Sequence, residues 1–361
     1  MKKEKNRKGL PAIALQVDIE KRIGDFELKV RFETGNEMLA ILGASGCGKS
    51  MTLKCIAGIE KPDRGRIVLD DTVLFDSEKH IDLKPQKRMA GYLFQQYALF
   101  PNMTALQNIM CGVRSGTRTE KRQKAMEMID RLHLNGCENK KPSMLSGGQQ
   151  QRCALARILV NEPKVLLLDE PFSALDAHLR FHTERQVERI IREFGKTVIF
   201  VSHDRDEIFR LTNHIAIMEN GHFNILDEKH EVFREPVTVG GAILTGCKNI
   251  SEAYEIAPRK VFAQDWGIEL AVGEIPDDLR AVGIRMHDII LNVEEAEEEN
   301  AYCCEVLGEI ENPFSYSVML RPEGTDGDRY ILIDMKKSKW NRMRSDHLNV
   351  IIPRDRILLL K

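Results

Sequence analysis

The sequence predicts two units: an α/β unit built on a parallel sheet, followed by a smaller all-β unit. Three observations carry this. Short apolar runs alternate with helical stretches as far as residue 236. Beyond residue 246, strand-like segments follow one another at close spacing with weak helical periodicity. The charge divides in the same way: residues 247–361 hold 15 Lys+Arg against 22 Asp+Glu, whereas residues 1–246 hold 38 against 33. A length of 361 residues suits two domains, and 42% hydrophobic residues suffice for sizeable cores.

In the first unit, LQVDIE and DFELKVRF alternate apolar and polar residues, with Phe26, Leu28, Val30 and Phe32 on one face. MLAIL (38–42) is a continuous apolar run, as expected of a buried parallel strand. A helix to Ala57 and a strand at 65–69 follow. Residues 104–135 read as helices, with Met126, Ile129, Leu132 and Leu134 near helical spacing. A further helix covers 149–160. Strand–helix alternation then resumes with VLLL (165–168), a helix over 176–194, TVIFV (197–201), a short helix and HIAIME (214–219). The expected division is 1–236, a linker at 237–246 (VTVGGAILTG), and 247–361. Strand candidates in the last part are KVFAQ, IELAV, AVGIRM, YCCEVLGEI, SYSVML, RYILIDM, LNVIIP and RILLL, and the acidic run EEAEEEN (294–300) reads as a solvated hairpin loop.

Composition excludes several classes. A net charge of −2 argues against a dedicated nucleic-acid binder. No apolar run approaches the ~18–20 residues of a membrane span. The basic start MKKEKNRKGL lacks a following apolar region and reads as a solvated tail. The eight cysteines include no Cys-x-x-Cys pair, so a zinc site or disulfide framework is not expected and a reducing cytoplasm fits.

Gly43-Ala44-Ser45-Gly46-Cys47-Gly48-Lys49-Ser50 matches G-x-x-x-x-G-K-[ST], between an apolar strand and a helix that opens with Lys49-Ser50-Met51. Glycines let consecutive N–H groups turn inward as an anion nest, and the helix N-terminus adds partial positive charge. Lys49 can reach β- and γ-phosphates, and the Ser50 hydroxyl can coordinate Mg²⁺. Cys47, beside Lys49 at a helix start, is expected to favour thiolate. The strand Val165–Leu168 ends in Asp169-Glu170, placing two acids where α/β sheets bind ligands. Asp169 suits Mg²⁺ and Glu170 suits proton abstraction from an attacking water.

Further motifs complete a resemblance. Leu145-Ser146-Gly147-Gly148-Gln149 resembles the signature of ATP-binding-cassette (ABC) ATPases, Ser173-Ala174-Leu175-Asp176 their D-loop, His203 in VSHD their switch histidine, and Gln95 in GYLFQQ their Q-loop glutamine. All fall in the family's order between residues 43 and 203. The resemblance implies a P-loop NTPase fold with a RecA-like core and a helical subdomain at 96–163. It also implies ATP hydrolysis with Mg²⁺ and a head-to-tail homodimer sandwiching two ATPs. Ser146, Gly147 and Gly148 of one chain would complete the phosphate cage of the other. Gln95 would touch Mg²⁺ or the nucleophilic water, His203 would contact the γ-phosphate and help position Glu170, and Asp176 would communicate across the dimer. The family usually stacks adenine on an aromatic residue near Ile23; Phe26 is the nearest aromatic and also fits the core alternation.

TALQNI after LFPNM resembles importer ATPases, whose residues here at 96–145 would dock a coupling helix of transmembrane permease subunits on the cytoplasmic face of the membrane. The C-terminal part resembles the OB-like (TOBE-type) accessory domain of importers for molybdate, sulfate, polyamines, iron or sugars. Phrases such as TGCKNI look most like the molybdate and related oxyanion group, served by a substrate-binding protein outside this chain. A soluble non-transport ABC ATPase is the alternative, although neither a paired cassette nor a long coiled-coil insertion is visible. If the accessory part binds an oxyanion, the candidates are Asn312–Ser317 and Lys336–Lys339.

Overall fold

The computed structural model describes residues 13–173, 177–292, 299–325 and 330–361. Two compact units divide between Lys229 and His230. Asp176, with Ala174 and Leu175, lies outside the described residues, as does most of the acidic run 294–300.

In the first unit, β1 (Leu15–Ile23) and β2 (Phe26–Thr34) form an antiparallel hairpin in full register from Leu15↔Thr34 to Ile23↔Phe26. Their alternation buries Leu28, Val30 and Phe32, as the period-2 pattern requires. β3 (Met38–Gly43) is buried at every position and leads through the glycine loop into α1 (Lys49–Ala57). β4 (Arg64–Leu69), β5 (Thr72–Asp76) and β6 (Ile81–Asp82) extend the antiparallel side. β7 (Ala90–Leu93) precedes the helices α2 (Ala105–Gly112), α3 (Arg118–Arg131) and α4 (Gly147–Leu159). Thr104, Thr117 and Ser146 open these helices, each in a reciprocal capping box with Gln107, Glu120 or Gln149. β8 (Val165–Asp169), α5 (Ala177–Phe194), β9 (Thr197–Ser202), α6 (Arg205–Leu211), β10 (His214–Glu219) and β11 (His222–Glu228) complete the unit.

The eleven strands form one sheet in the order β6-β5-β4-β1-β2-β11-β10-β3-β9-β8-β7. Its second half, β10-β3-β9-β8-β7, is parallel. The C-terminal ends of β3, β9, β8 and β7 therefore lie side by side, and Gly43, Ser202, Asp169 and Leu93 mark that edge. The phosphate loop, His203, the acidic pair and Gln95 each lie at or just beyond one of these four ends.

In the second unit, the segment expected as a linker is instead structured. After α7 (Lys229–Arg234), Thr238 caps α8 (Val239–Leu244), accepting from the Gly241 N–H at 3.0 Å. Ala242 packs with Cys247, Ala281 and Leu360. Two five-stranded antiparallel sheets follow. The first comprises β12 (Asn249–Ala257), β13 (Lys260–Ala263), β14 (Ile268–Ala271), β15 (Ala281–Ile284) and later β21 (Leu358–Leu360). The second comprises β16 (Ile290–Asn292), β17 (Ala301–Glu311), β18 (Ser315–Pro322), β19 (Ile331–Lys336) and β20 (His347–Ile351), with α9 (Lys337–Met343) after β19. Both sheets share one apolar cluster that includes the buried Trp266 and Trp340. Asn300, at the end of the acidic run, is buried and bonds Ala271 N and O and Ile352 O, so this end of the predicted loop is a clasp rather than a solvated turn.

Candidate functional site

The phosphate-loop residues are shaped by close approach. Gly48 has φ +111°, and a Cβ there would lie 2.8 Å from Leu28 Cδ1 and 3.1 Å from Phe26 Cζ. A Cβ on Gly43 would meet both Cys47 Sγ and Met218 O at 2.5 Å. Glycine is required at both positions for steric reasons. Phe26 thus packs inward under the loop, against the core, while Ile23 is exposed at the hairpin tip. Ala44, Ser45 and Gly46 are exposed on the loop, and Met51 packs its side chain against the core.

Lys49 is 6% exposed, and its Nζ donates to Gly43 O at 2.8 Å and Ala44 O at 2.7 Å. The ammonium is therefore held inside the loop by carbonyls that a phosphate oxygen can displace. Cys47 is buried, and burial raises its thiol pKa against the opposing pull of Lys49. This corrects the thiolate expectation: desolvation outweighs the neighbouring charge.

Five residues converge at the edge of β3, β9, β8 and β7. Ser50 Oγ donates to Asp169 Oδ1 at 2.7 Å. Gln95 Nε2 donates to Glu170 Oε2 at 3.0 Å, and His203 Nδ1 lies 3.2 Å from Glu170 Oε1. Glu170 has φ +45°, a left-handed conformation that costs a non-glycine residue free energy and is found where surrounding structure enforces it. The enforcement is visible: its N–H donates to Val201 O at 2.9 Å, and its carbonyl accepts from Ser173 N at 3.2 Å and Ser173 Oγ at 2.9 Å. The exposed His203 follows β9, and the next residue, Asp204, caps α6 by accepting from Asp206 and Glu207 N–H. Buried Ser202 donates to Glu207 and accepts from Asp204 N–H, fixing both sides of His203.

Tyr92 was not anticipated. Its Oη donates to Asp169 Oδ2 at 2.7 Å, so both carboxylate oxygens of Asp169 are held by hydroxyls. Burial raises the Tyr92 pKa, with Asp169 adding to the effect, which keeps the phenol a donor. The only signal in the sequence is its place three residues before Gln95, and that becomes meaningful only once β7 pairs with β8.

The signature segment is a helix start. Gly147 opens α4, and Ser146 and Gln149 cap one another, with Gln149 Oε1 accepting from Ser146 N at 3.0 Å. The Gln149 side chain therefore serves the cap, and Leu145 is buried. The first-turn N–H groups of Gly147 and Gly148 have no acceptor within the helix, as at any helix start. Arg157 of α4 donates to Tyr97 O at 3.0 Å and Ala98 O at 2.8 Å, tying the turn after Gln95 to the helix behind the signature.

The oxygen donors of Ser50 and Asp169 form a hard set that fits Mg²⁺. Gln95 uses its amide nitrogen on Glu170, which leaves Oε1 as its remaining donor toward a metal. In the second unit, β18–β19 pairing (Ser315↔Lys336) brings together the two candidate oxyanion segments. Lys337 pairs with Glu311 and Arg344 with Glu309, so these cations are neutralised locally.

No helix among the described residues is long and apolar enough to cross a membrane. The sequence profile of the ABC transporter family matches residues 27–173. The spermidine/putrescine import ATP-binding protein PotA of Bacillus cereus is 42% identical over 231 residues, covering 62% of this chain and 69% of that protein. The molybdenum import ATP-binding protein ModC of Rhodospirillum rubrum is 36% identical over 222 residues, covering 62% of this chain and 60% of that protein. Among solved structures, a dimeric, post-hydrolysis ATP-binding cassette, MJ0796, bound to ADP and Pi is 30% identical, with a TM-score of 0.51 over 60% of this chain and 98% of that one. CbiO1 of Clostridium perfringens, part of the ABC transporter complex cbiONQ, is 29% identical with a TM-score of 0.54, covering 62% of this chain and 92% of that one. The phosphate loop, the paired acids and the helix-capping signature lie on a fold shared with these cassettes, and the chain belongs to the ABC transporter family as one of its ATP-hydrolysing ATP-binding proteins.

Proposed function

We propose that this chain is the ATPase of a membrane importer and that it hydrolyses ATP in a site completed by a second copy. The observation that carries this reading is the single network at the sheet edge, in which Ser50 bonds Asp169 while Gln95 and His203 flank Glu170. In this reading, the N–H groups of residues 43–51 cradle the phosphates, and Lys49 leaves the loop carbonyls for the β- and γ-phosphates. Ser50, Asp169 and Gln95 hold Mg²⁺, which supplies charge neutralisation on the transferred phosphoryl group when bound. Glu170 accepts the proton of the attacking water. His203 and Gln95 fix the Glu170 carboxylate from both sides, with His203 also facing the γ-phosphate. Ser146, Gly147 and Gly148 of the second copy present a helix N-terminus to that phosphate, and Asp176 serves communication between the two copies.

Residues 96–145 form the surface for the permease subunits. For the solute, a molybdate-type oxyanion is the first reading, supported by the likeness to the molybdenum importer protein. A polyamine is the second, favoured by the higher identity of 42% to the spermidine/putrescine protein. The test is uptake in proteoliposomes containing the permease, the binding protein and this chain, with ATP supplied on its side. Accumulation of molybdate supports the first reading, and accumulation of spermidine the second. Uptake equal with and without ATP would reject the importer role.

A further inference from the structure

We propose that Tyr92 is a positioning residue for Asp169, its hydroxyl holding the carboxylate so that one oxygen faces Ser50 and the metal. The inference rests on the reading of Asp169 as a metal ligand. Tyr92 Oη and Ser50 Oγ grip opposite oxygens of Asp169 at 2.7 Å each. When Ser50 turns its hydroxyl to the metal, it gives up Oδ1, and Tyr92 keeps the grip on Oδ2. Asp169 is only 7% exposed, so water substitutes poorly for a lost donor.

The strand pairing aims the tyrosine. Tyr92 sits opposite Leu167, and Leu167 and Asp169 share a face of β8 at the two-residue period. The strand carrying Tyr92 is itself fixed. A Cβ on Gly91 would lie 2.3 Å from Ile158 Cγ2 of α4, so β7 seats against that helix with no room to slide. The Tyr92 ring packs on Phe94 at a centroid distance of 4.5 Å, which limits its rotation. Donors behind a metal ligand fix the orientation of the ligating atom, and losing one typically weakens metal affinity 10–100-fold.

The experiment titrates Mn²⁺ into the ATP-loaded full chain, followed by electron paramagnetic resonance of the free ion, for wild type, Tyr92→Phe and Asp169→Asn. ATP affinity in EDTA and thermal stability are measured alongside. Tyr92→Phe keeps the ring on Phe94 and removes only the hydroxyl. The expected result is an Mn²⁺ half-saturation raised about tenfold, with metal-free ATP affinity within twofold of wild type. A half-saturation within twofold of wild type overturns the proposal, whatever happens to stability. An equal loss of metal-free ATP affinity also overturns it, because the hydroxyl then supports the site generally. If Asp169→Asn weakens Mn²⁺ binding and Tyr92→Phe does not, the Tyr92 role alone fails. If neither does, the metal-ligand reading of Asp169 fails as well.

Discussion

Replacing Arg88 by leucine should be among the most destabilising single changes in the first unit. Arg88 is 1% exposed, and its guanidinium donates to Leu83 O at 2.7 Å, Cys55 O at 2.7 Å, Ile56 O at 3.0 Å and Asp82 Oδ1 at 2.9 Å. Two of these acceptors are carbonyls of the last turn of α1, the helix that begins with Lys49. A Cβ at Gly58 would fall 2.4 Å from Arg88 Nε, so the arginine fills the space beside the helix end. Leucine leaves three carbonyls without their donor, at about 1 kcal/mol each when partly rehydrated. The Asp82 side chain is 40% exposed, so its ion pair adds little. The sum is about 3 kcal/mol. For a unit of this size, about 2–4 °C of melting temperature accompanies each kcal/mol, so a fall of roughly 10 °C is expected in differential scanning calorimetry. Arg88→Lys should recover only part of it, because a single ammonium cannot span four acceptors. A fall below about 2 °C for Arg88→Leu would mean that these bonds contribute little to the stability of the unit.

Lys49→Ala should lower turnover by about 10²–10³-fold, the scale of losing one preorganised charge contact in the transition state, and a steady-state ATPase rate within threefold of wild type would contradict the assignment. Cys47 is the next case: burial raises its pKa, so at a given pH less of it is thiolate than of an ordinary cysteine and its alkylation should be slower. At pH 7.5, iodoacetamide should label the exposed Cys111 and Cys303 well before Cys47, and mass spectrometry showing Cys47 labelled first would overturn the burial argument.

What could be read in the sequence was local. The phosphate loop, the acids after VLLL and the signature are contiguous, and strand-then-turn contexts fix where they lie. β3, β8 and β9 are continuous apolar runs, which only a sheet covered on both faces supports. What escaped depends on pairing across long separations. Tyr92 and Asp169 are 77 positions apart, and Arg88 reaches carbonyls 32 and 33 positions away. The short strands β5, β6 and β7 owe their existence to neighbours rather than to periodicity, and β6 has two residues. VTVGGAILTG reads as a linker because of the preceding Pro236 and its paired glycines, yet Thr238 supplies a cap and Ala242 a packing contact, enough for a short helix. For Cys47 the neighbouring lysine is visible in the sequence, whereas the burial that outweighs it is not. Phe26 satisfied two patterns at once, and its contact with Gly48 places it in the core.

In the proposed mechanism, Glu170 activates water in a site that two copies close. Glu170→Gln retains a group of the same shape between Gln95 and His203 and removes the base. Turnover should fall by at least about 10²-fold while ATP still binds. Because ATP then persists, the closed pair should accumulate. Size-exclusion chromatography with light scattering, run with ATP and no added Mg²⁺, measures this directly. Glu170→Gln should give a dimer peak that appears with ATP and is absent with ADP. A monomer peak at saturating bound ATP, or a variant that hydrolyses ATP at the wild-type rate, would contradict this mechanism.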